Sequence, residues 1–174
     1  MNERQPQILD IEQVIKSKAG DKAKYVPKFL IRWFSNFMHL DFINGYLKEG
    51  YVGVDFCENC LKYLGVEIEV KGLENLPKDG SRFTFASNHP LGAIDGVTLG
   101  AIIGREYDGK IKYLMNDLLM NLKGMAPLGI PINKLGSQAR SLSRLVNEVY
   151  ESDNQMLIFP AGLCSRKIEG KITD

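Results

Sequence analysis

The stretch Ser87-Asn88-His89-Pro90-Leu91-Gly92-Ala93-Ile94-Asp95-Gly96 follows a hydrophobic run, 83–86, that has the character of a buried strand. Its asparagine, proline and glycines are typical of a shaped turn. His89 is one of only two histidines in the chain, and Asp95 follows it within the same turn. An imidazole at a strand end, with a carboxylate close enough to orient it, can deprotonate a hydroxyl near neutral pH. The pair therefore predicts a general-base site, with a purely structural turn as the alternative.

A second hydrophobic run breaks into a loop in the same way further along the chain. Leu157-Ile158-Phe159-Pro160-Ala161-Gly162 leads into the basic pair Arg166 and Lys167. Glycine lets a backbone approach a ligand closely, and a following serine and arginine offer hydrogen-bond donors and charge. This loop predicts a site for an anionic head group. A solvated basic loop is the other interpretation.

These two motifs resemble those of the glycerolipid acyltransferases of the lysophosphatidate acyltransferase type, over residues 72–166. That family carries Asn-His-x4-Asp and, later, Phe-Pro-Glu-Gly-Thr-Arg-Ser. Here the first motif reads His-x5-Asp, Ala161 replaces the glutamate, and Cys164 stands where the arginine would be, with Arg166 two positions on. A divergent bacterial branch, called hemolysin-like, is similar to this chain in having His-Pro-Leu-Gly-x-x-Asp and Phe-Pro-Ala-Gly followed by Ser-Arg. We expect Gly92 to absorb the extra residue, because glycine accepts unusual backbone angles.

The resemblance implies an O-acyltransferase that moves a fatty acyl group from acyl-CoA or acyl carrier protein to the hydroxyl of a lyso-lipid. His89 would be the general base and Asp95 its orienting carboxylate. No tightly bound cofactor and no metal would be needed, since the acyl thioester is a co-substrate. The residues expected to bind substrate are Asn88, Lys134, Gly162, Ser165 and Arg166.

Two rival functions stay open at this point. Water could replace the acceptor at the same base and make the protein a hydrolase of thioesters or lipids, although no Gly-x-Ser-x-Gly motif of a serine esterase is present. The other rival is a non-catalytic module that binds lipid or membrane. Release of free fatty acid without an acceptor would distinguish the first rival from a transferase.

Composition limits the class of protein. The chain has 174 residues, of which 44% are hydrophobic and 25% charged, as in an ordinary soluble globular protein. A net charge of +1 argues against a dedicated nucleic-acid binder. Three cysteines cannot complete a disulfide framework, and the polar start is not a signal peptide. We expect a cytoplasmic protein at the inner face of the membrane.

Hydrophobic periodicity predicts a helix at 54–64 and, after residue 65, strands alternating with helices. The predicted strands are 66–70, 82–86, 111–115, 129–132 and 156–159, and the predicted helices are 54–64, 96–103, 118–122 and 137–151. This alternation is typical of an α/β fold with a mixed or mostly parallel sheet flanked by helices. We therefore expect an N-terminal helical segment over 1–65 and an α/β acyltransferase core over 66–174. The chain stops soon after the Phe-Pro-Ala-Gly loop, which suggests a core truncated at its C-terminus.

An aromatic helix is predicted to follow Pro27, with apolar residues at steps of four up to His39. Residues 16–34 hold six Lys or Arg and one acidic residue. A basic helix with an aromatic stripe can lie in a membrane interface, held by its rings and by anionic lipid. The alternative is that this stripe, which includes Trp33, packs against a protein core.

The cysteines favour structural roles. Cys57 and Cys60 form Cys-x-x-Cys on the apolar face of a predicted helix, and no second ligand pair accompanies them. A core position is therefore favoured over a zinc or redox site. Cys164 could form an acyl-enzyme, but no neighbouring base is evident from the sequence.

Overall fold

The computed structural model describes residues 3–132, 139–162, 164, 166–168 and 171–173. The chain forms two compact units, Met1–Tyr51 and Val52–Asp174. The first unit is helical and the second holds the parallel sheet. The architecture is therefore α/β with a preceding helical segment, as the alternation of patterns predicted.

The first unit contains three α-helices, α1 (Ile11–Ala19), α2 (Lys28–Phe37) and α3 (Leu40–Leu47). Asp10 caps α1 by accepting a hydrogen bond of 2.8 Å from the backbone N–H of Glu12. The side chain of Asn44 in α3 bonds both backbone groups of Leu9, at 2.7 and 3.0 Å. This pairing ties the chain before α1 to α3.

The second unit is built on a four-stranded sheet in the order β1-β4-β2-β3, with every neighbouring pair parallel. Its strands are β1 (Thr84–Ala86), β2 (Ile111–Asn116), β3 (Gly129–Ile132) and β4 (Gln155–Ile158). The helices of this unit are α4 (Val54–Leu64), α5 (Ala93–Glu106) and α6 (Ala139–Glu151). A separate antiparallel pair is formed by β5 (Arg166–Ile168) and β6 (Lys171–Thr173). The crossover helix α5 joins β1 to β2, and α6 lies between β3 and β4 in the chain. Between the parallel neighbours β2 and β3 the chain forms two short 3-10 helices, Asp117–Asn121 and Ala126–Leu128.

The core beneath the sheet holds α5 close to β2. Ile111, Tyr113 and Met115 are buried at alternate positions of β2. The Tyr113 hydroxyl donates a hydrogen bond of 2.9 Å to the carbonyl of Gly96, one residue after Asp95. Burial raises the pKa of the Tyr113 phenol well above its usual range, so the hydroxyl keeps its proton as a donor. This contact fixes the start of α5 against the sheet.

The structure confirms the predicted core position for Cys57, the first cysteine of the Cys-x-x-Cys pair. Cys57 is fully buried in α4, Cys60 is half-buried, and both are free thiols. Burial, followed by the nearby Cys60 and Glu58, raises the pKa of the Cys57 thiol to about 12. A thiol held in its protonated form is a poor nucleophile and a poor metal ligand.

Several sequence predictions differ from the structure. The predicted strand at 66–70 is wrong: these residues belong to no strand of the described structure, and most of them are exposed. The helix predicted after Pro27 is confirmed as α2, but it ends at Phe37, because His39 adopts a left-handed conformation with φ 49° before α3 begins. In addition, α5 begins at Ala93 instead of 96, which places Asp95 in its first turn.

Candidate active site

His89 and Asp95 meet at the carboxyl edge of the parallel sheet. His89 follows β1 by three residues, and Asp95 lies in the first turn of the crossover helix α5. His89 Nδ1 is 3.1 Å from Asp95 Oδ2, and the two side chains are only 19% and 13% exposed. Ligands of open α/β sheets bind outside this edge, where polar side chains from different loops converge. The geometry is that of an imidazole oriented by a carboxylate.

Gly92 accommodates the extra residue between His89 and Asp95. It stands immediately before α5 with φ 69° and ψ −126°, a conformation that residues with a Cβ rarely adopt. The backbone N–H of Asp95 donates to the carbonyl of Gly92 at 3.0 Å, which closes the turn. The backbone N–H of Leu91 donates to Asp95 Oδ2 at 2.8 Å. The chain thus turns back on itself, so that the six-residue separation still yields side-chain contact.

An aromatic ring from the neighbouring strand covers one face of the imidazole. Ala86 in β1 is aligned with Ile158 in β4, and the N–H of Ser87 donates to the carbonyl of Ile158 at 3.1 Å. Phe159 comes directly after β4, and its ring stacks on His89 with ring centroids 4.1 Å apart and planes inclined by 25°. Sequence analysis missed this contact. The sequence did show that His89 comes shortly after one predicted strand and that Phe159 ends another, which would place them at the same edge of a parallel sheet.

The Phe-Pro-Ala-Gly loop forms a turn beside the dyad. The N–H of Gly162 donates to the carbonyl of Phe159 at 2.9 Å, and Gly162 has a φ of 64°. Beyond it, the exposed Cys164 approaches the dyad turn, since a Cβ at Gly92 would lie 3.3 Å from Cys164 Sγ. The two sequence motifs are therefore neighbours in space.

The structure describes only some of the other residues predicted to bind substrate. Asn88 is exposed beside His89, and the Ser87 hydroxyl donates to the Asn88 carbonyl at 2.9 Å. Arg166 begins β5, and the structure describes its backbone only. Lys134 and Ser165 lie outside the described residues.

A polar cleft of about 450 Å³ lies at the other end of the sheet. It is lined by residues that precede the strands, including Lys78, Tyr107, Lys110 and Gln155, and it does not include His89. Within the described part of the chain, no group of three or more His, Cys, Asp or Glu could hold a metal ion. The His89–Asp95 pair is therefore a better candidate active site than this cleft, because an imidazole oriented by a carboxylate can accept a proton.

The aromatic stripe of α2 is exposed. No residue of α2 is buried, and Phe29, Trp33 and Phe37 are 70%, 62% and 65% exposed. Trp33 and Phe37 stack on each other with ring centroids 5.5 Å apart. Trp33 is therefore outside the core of the helical unit. No helix among the described residues has the length and apolar character needed to cross a membrane.

Comparison with known proteins identifies relatives over almost the whole chain. A family model described as acyltransferase matches residues 13–174. Two curated proteins named lyso-glycine lipid O-acyltransferase, from Bacteroides thetaiotaomicron and Phocaeicola vulgatus, are each 52% identical over 169 residues, or 96% of this chain. The chain spans 62% and 60% of the length of these two relatives. No solved structure gives a significant match.

Proposed function

The chain belongs to the acyltransferase family whose model it matches, and on that premise we propose that it transfers a fatty acyl group from an acyl thioester to the hydroxyl of a lyso-lipid. The observation that carries this proposal is the 3.1 Å contact between His89 Nδ1 and Asp95 Oδ2 at the carboxyl edge of the sheet. The donor is acyl-CoA or acyl-carrier protein. Both present the same thioester carbonyl to the base.

The proposed mechanism needs one base and no covalent enzyme intermediate. Asp95, as a carboxylate, accepts a hydrogen bond from Nδ1–H of His89 and leaves Nε2 free to take a proton. Nε2 removes the proton of the acceptor hydroxyl as its oxygen attacks the thioester carbonyl. The tetrahedral intermediate then collapses with cleavage of the C–S bond, and the departing thiolate takes the proton from the imidazolium. An ester C–O bond replaces the thioester bond, and no oxidant or reductant is consumed.

We assign the acceptor to the amino-acid lyso-lipids, with a lyso-glycine lipid as the first to be tested. Two relatives at 52% identity carry that substrate in their names. The loop at Gly162 lies next to the dyad and leads into Arg166, and Lys134 follows β3 in the sequence. Ser165, Arg166 and Lys134 would hold the acceptor's anionic group, and Asn88 would border the reacting hydroxyl.

The same proposal includes attachment to an anionic membrane surface through α2. Its exposed face presents Phe29, Trp33 and Phe37, and the exposed cations Lys28 and Arg32 lie on the same helix. Aromatic side chains in the interface combine with basic residues that are drawn to anionic lipid. A lyso-lipid acceptor partitions into that interface, so attachment would bring the site to its substrate.

Product analysis with both donors tests the proposed function. The purified protein is incubated with acyl-CoA or acyl carrier protein and with a lyso-glycine lipid, a lysophosphatidate or no acceptor, and a full-length Bacteroides relative is assayed in parallel. We expect thiol release matched by diacylated glycine lipid in the presence of that acceptor. Equal release of free fatty acid without any acceptor would instead indicate a hydrolase. Binding of lipid with no thiol release, while the relative turns over, would indicate a non-catalytic lipid-binding module.

A further inference from the structure

Phe159 is placed to control the plane of the His89 ring. The Asp95 contact at Nδ1 limits rotation of the imidazole about its Cβ–Cγ bond but still allows the ring plane to tilt, because the second side-chain torsion of histidine is broad. The stacked phenyl ring, with centroids 4.1 Å away and planes inclined by only 25°, restricts that tilt further. Together the two neighbours fix the direction in which Nε2 points.

The backbone around Phe159 is itself restrained. On one side, Ile158 ends β4 and accepts the hydrogen bond from the Ser87 N–H. On the other side, the carbonyl of Phe159 accepts the bond from the Gly162 N–H. The phenyl ring therefore stands on a fixed strand end and does not depend on a long free loop. A rigid support of this kind is what a precisely oriented base requires.

The stacking also has an electrostatic consequence for the reaction. When the imidazole takes the hydroxyl proton it becomes a cation, and the face of a phenyl ring attracts a cation. That attraction is stronger for the charged ring than for the neutral one. It therefore stabilises the transition state more than the ground state, which is the condition for raising the rate of the chemical step.

We propose that Phe159 is a positioning residue for the general base, which holds the His89 ring plane and stabilises its protonated form during acyl transfer. This inference rests on the proposed function for its kinetic part. Its structural part, a ring-on-ring contact at the base, is independent of which acyl acceptor is used. Phe159 does not itself exchange a proton or form a bond.

The test compares Phe159→Leu, which keeps an apolar side chain but removes the ring, with Phe159→Tyr, which keeps the ring. Phe159→Leu should lower kcat by about 3- to 30-fold, the range expected for one cation–aromatic contact, with little change in the KM of either substrate. The kcat of Phe159→Tyr should stay within about twofold of that of the parent protein, because the aromatic ring is kept. The matched control is Phe85→Leu, which removes a ring that contacts Tyr107 instead of His89, and its kcat should be unchanged.

A second readout does not depend on activity. The chain has two histidines, so the ring protons of His89 can be assigned by NMR against His39. They should be shifted upfield by the Phe159 ring current, lose that shift in Phe159→Leu and retain it in Phe159→Tyr. An unchanged kcat in Phe159→Leu, or equal losses in the Leu and Tyr variants together with a lower thermal midpoint, would overturn the inference. A protein with no transferase activity at all would defeat the proposed function, whereas the ring-current shift would still report the contact.

Discussion

Leu91 donates its backbone N–H to Asp95 Oδ2, the same oxygen that lies 3.1 Å from His89 Nδ1. One carboxylate oxygen therefore links the turn backbone to the imidazole of His89. Because the bond from Leu91 is only 2.8 Å long, Asp95 is held by the turn independently of the imidazole. The carboxylate orients the histidine and is not simply carried along by it.

Asp95→Asn should lower kcat by about 10²–10⁴-fold while leaving the thermal midpoint nearly unchanged. An amide can still face Leu91 and His89, but its NH₂ group favours the wrong imidazole tautomer. Asp153→Asn is the matched control, because this exposed aspartate pairs only with Lys110 on the surface among the described contacts. Steady-state kinetics with both donors measures the effect. An Asp95→Asn protein as active as the control would contradict an orienting role.

Gly92→Ala should impair catalysis more than folding. The new Cβ would lie 3.3 Å from Cys164 Sγ, and the backbone at φ 69° is strained for alanine by about 1–3 kcal/mol. A displacement of the turn by about 1 Å would cost roughly 10²-fold in kcat/KM, since the base and acid must stay aligned.

Gly80→Ala is the control for this strain. Gly80 has φ 78°, and a Cβ there would meet nothing within 4 Å. The Gly80→Ala variant should be less stable in urea unfolding but should keep the transfer rate of the parent protein. If both variants lose activity in proportion to stability, the turn has no special part in aligning the dyad.

The part of the site that could be predicted from the sequence is the local part. His89, the turn and Asp95 lie within seven residues, so residue type and spacing were sufficient to predict their association. The stacking of Phe159 on His89 depends on β1 pairing with β4 over a separation of about 70 residues, and no local pattern contains that register. Only the adjacency of the two strands makes the contact predictable.

The difference between local pattern and three-dimensional context also explains where the predicted secondary structure was wrong. The alternating residues 66–70 have the pattern of a strand, but a strand needs a partner and the structure provides none. The helix predicted up to His39 ends at Phe37, because His39 is left-handed and periodicity reports side-chain type and not backbone angle. By contrast, Gly65 ends α4 in the left-handed conformation expected of a C-terminal glycine.

Replacing Trp33 and Phe37 together by serine should weaken binding to anionic vesicles by about tenfold or more, because the buried apolar area is lost. Both side chains are exposed, so stability in urea should hardly change. Binding of the parent protein should shift Trp33 fluorescence to the blue and should weaken as salt screens the basic residues. Leu64→Ser, at an exposed leucine of α4, is the control. Trp33 emission that is insensitive to vesicles would remove the membrane part of the proposal.

Lys134→Ala and Arg166→Ala should each raise the KM for the acceptor more than the KM for the thioester. Each substitution removes a positive charge proposed to face the acceptor's anionic group. The measurement is a pair of titrations for each variant, one varying the lyso-glycine lipid and one varying the acyl donor. Equal changes for both substrates, or none for either, would contradict an anionic head-group site. Lys62→Ala, on α4, serves as a control for the loss of one positive charge.

The Glu58–Arg105 pair should support α5 in a pH-dependent way. Arg105 Nε donates to Glu58 Oε1 at 2.7 Å, and this hydrogen bond lowers the pKa of the Glu58 carboxyl from its usual 4.5. A carboxyl with a lowered folded-state pKa contributes stability above 4.5 and loses that contribution as the pH falls through the folded value. Because Arg105 is 63% exposed, Glu58→Gln should cost only about 0.2–1 kcal/mol at pH 7.

Urea unfolding of the Glu58→Gln variant at pH 7 and pH 3 checks this sign. The difference from the parent protein should shrink at the lower pH, because the stability that Glu58 contributes is lost as the pH falls from 4.5 towards its lowered folded-state pKa. Glu69→Gln, which removes an exposed surface pair with Lys71, should show little difference at either pH. A Glu58 effect that grows at low pH would contradict the assigned direction.

The most direct measurement of the central claim is the rate of acyl transfer after His89 is replaced by alanine. The matched control is His39→Asn, since His39 is exposed and left-handed, and asparagine tolerates that conformation. We predict that His89→Ala loses all but a trace of transfer from acyl thioester to lyso-glycine lipid, with an unchanged thermal midpoint, while His39→Asn keeps the parent rate. A His89→Ala protein that folds and retains most of its activity would contradict the account.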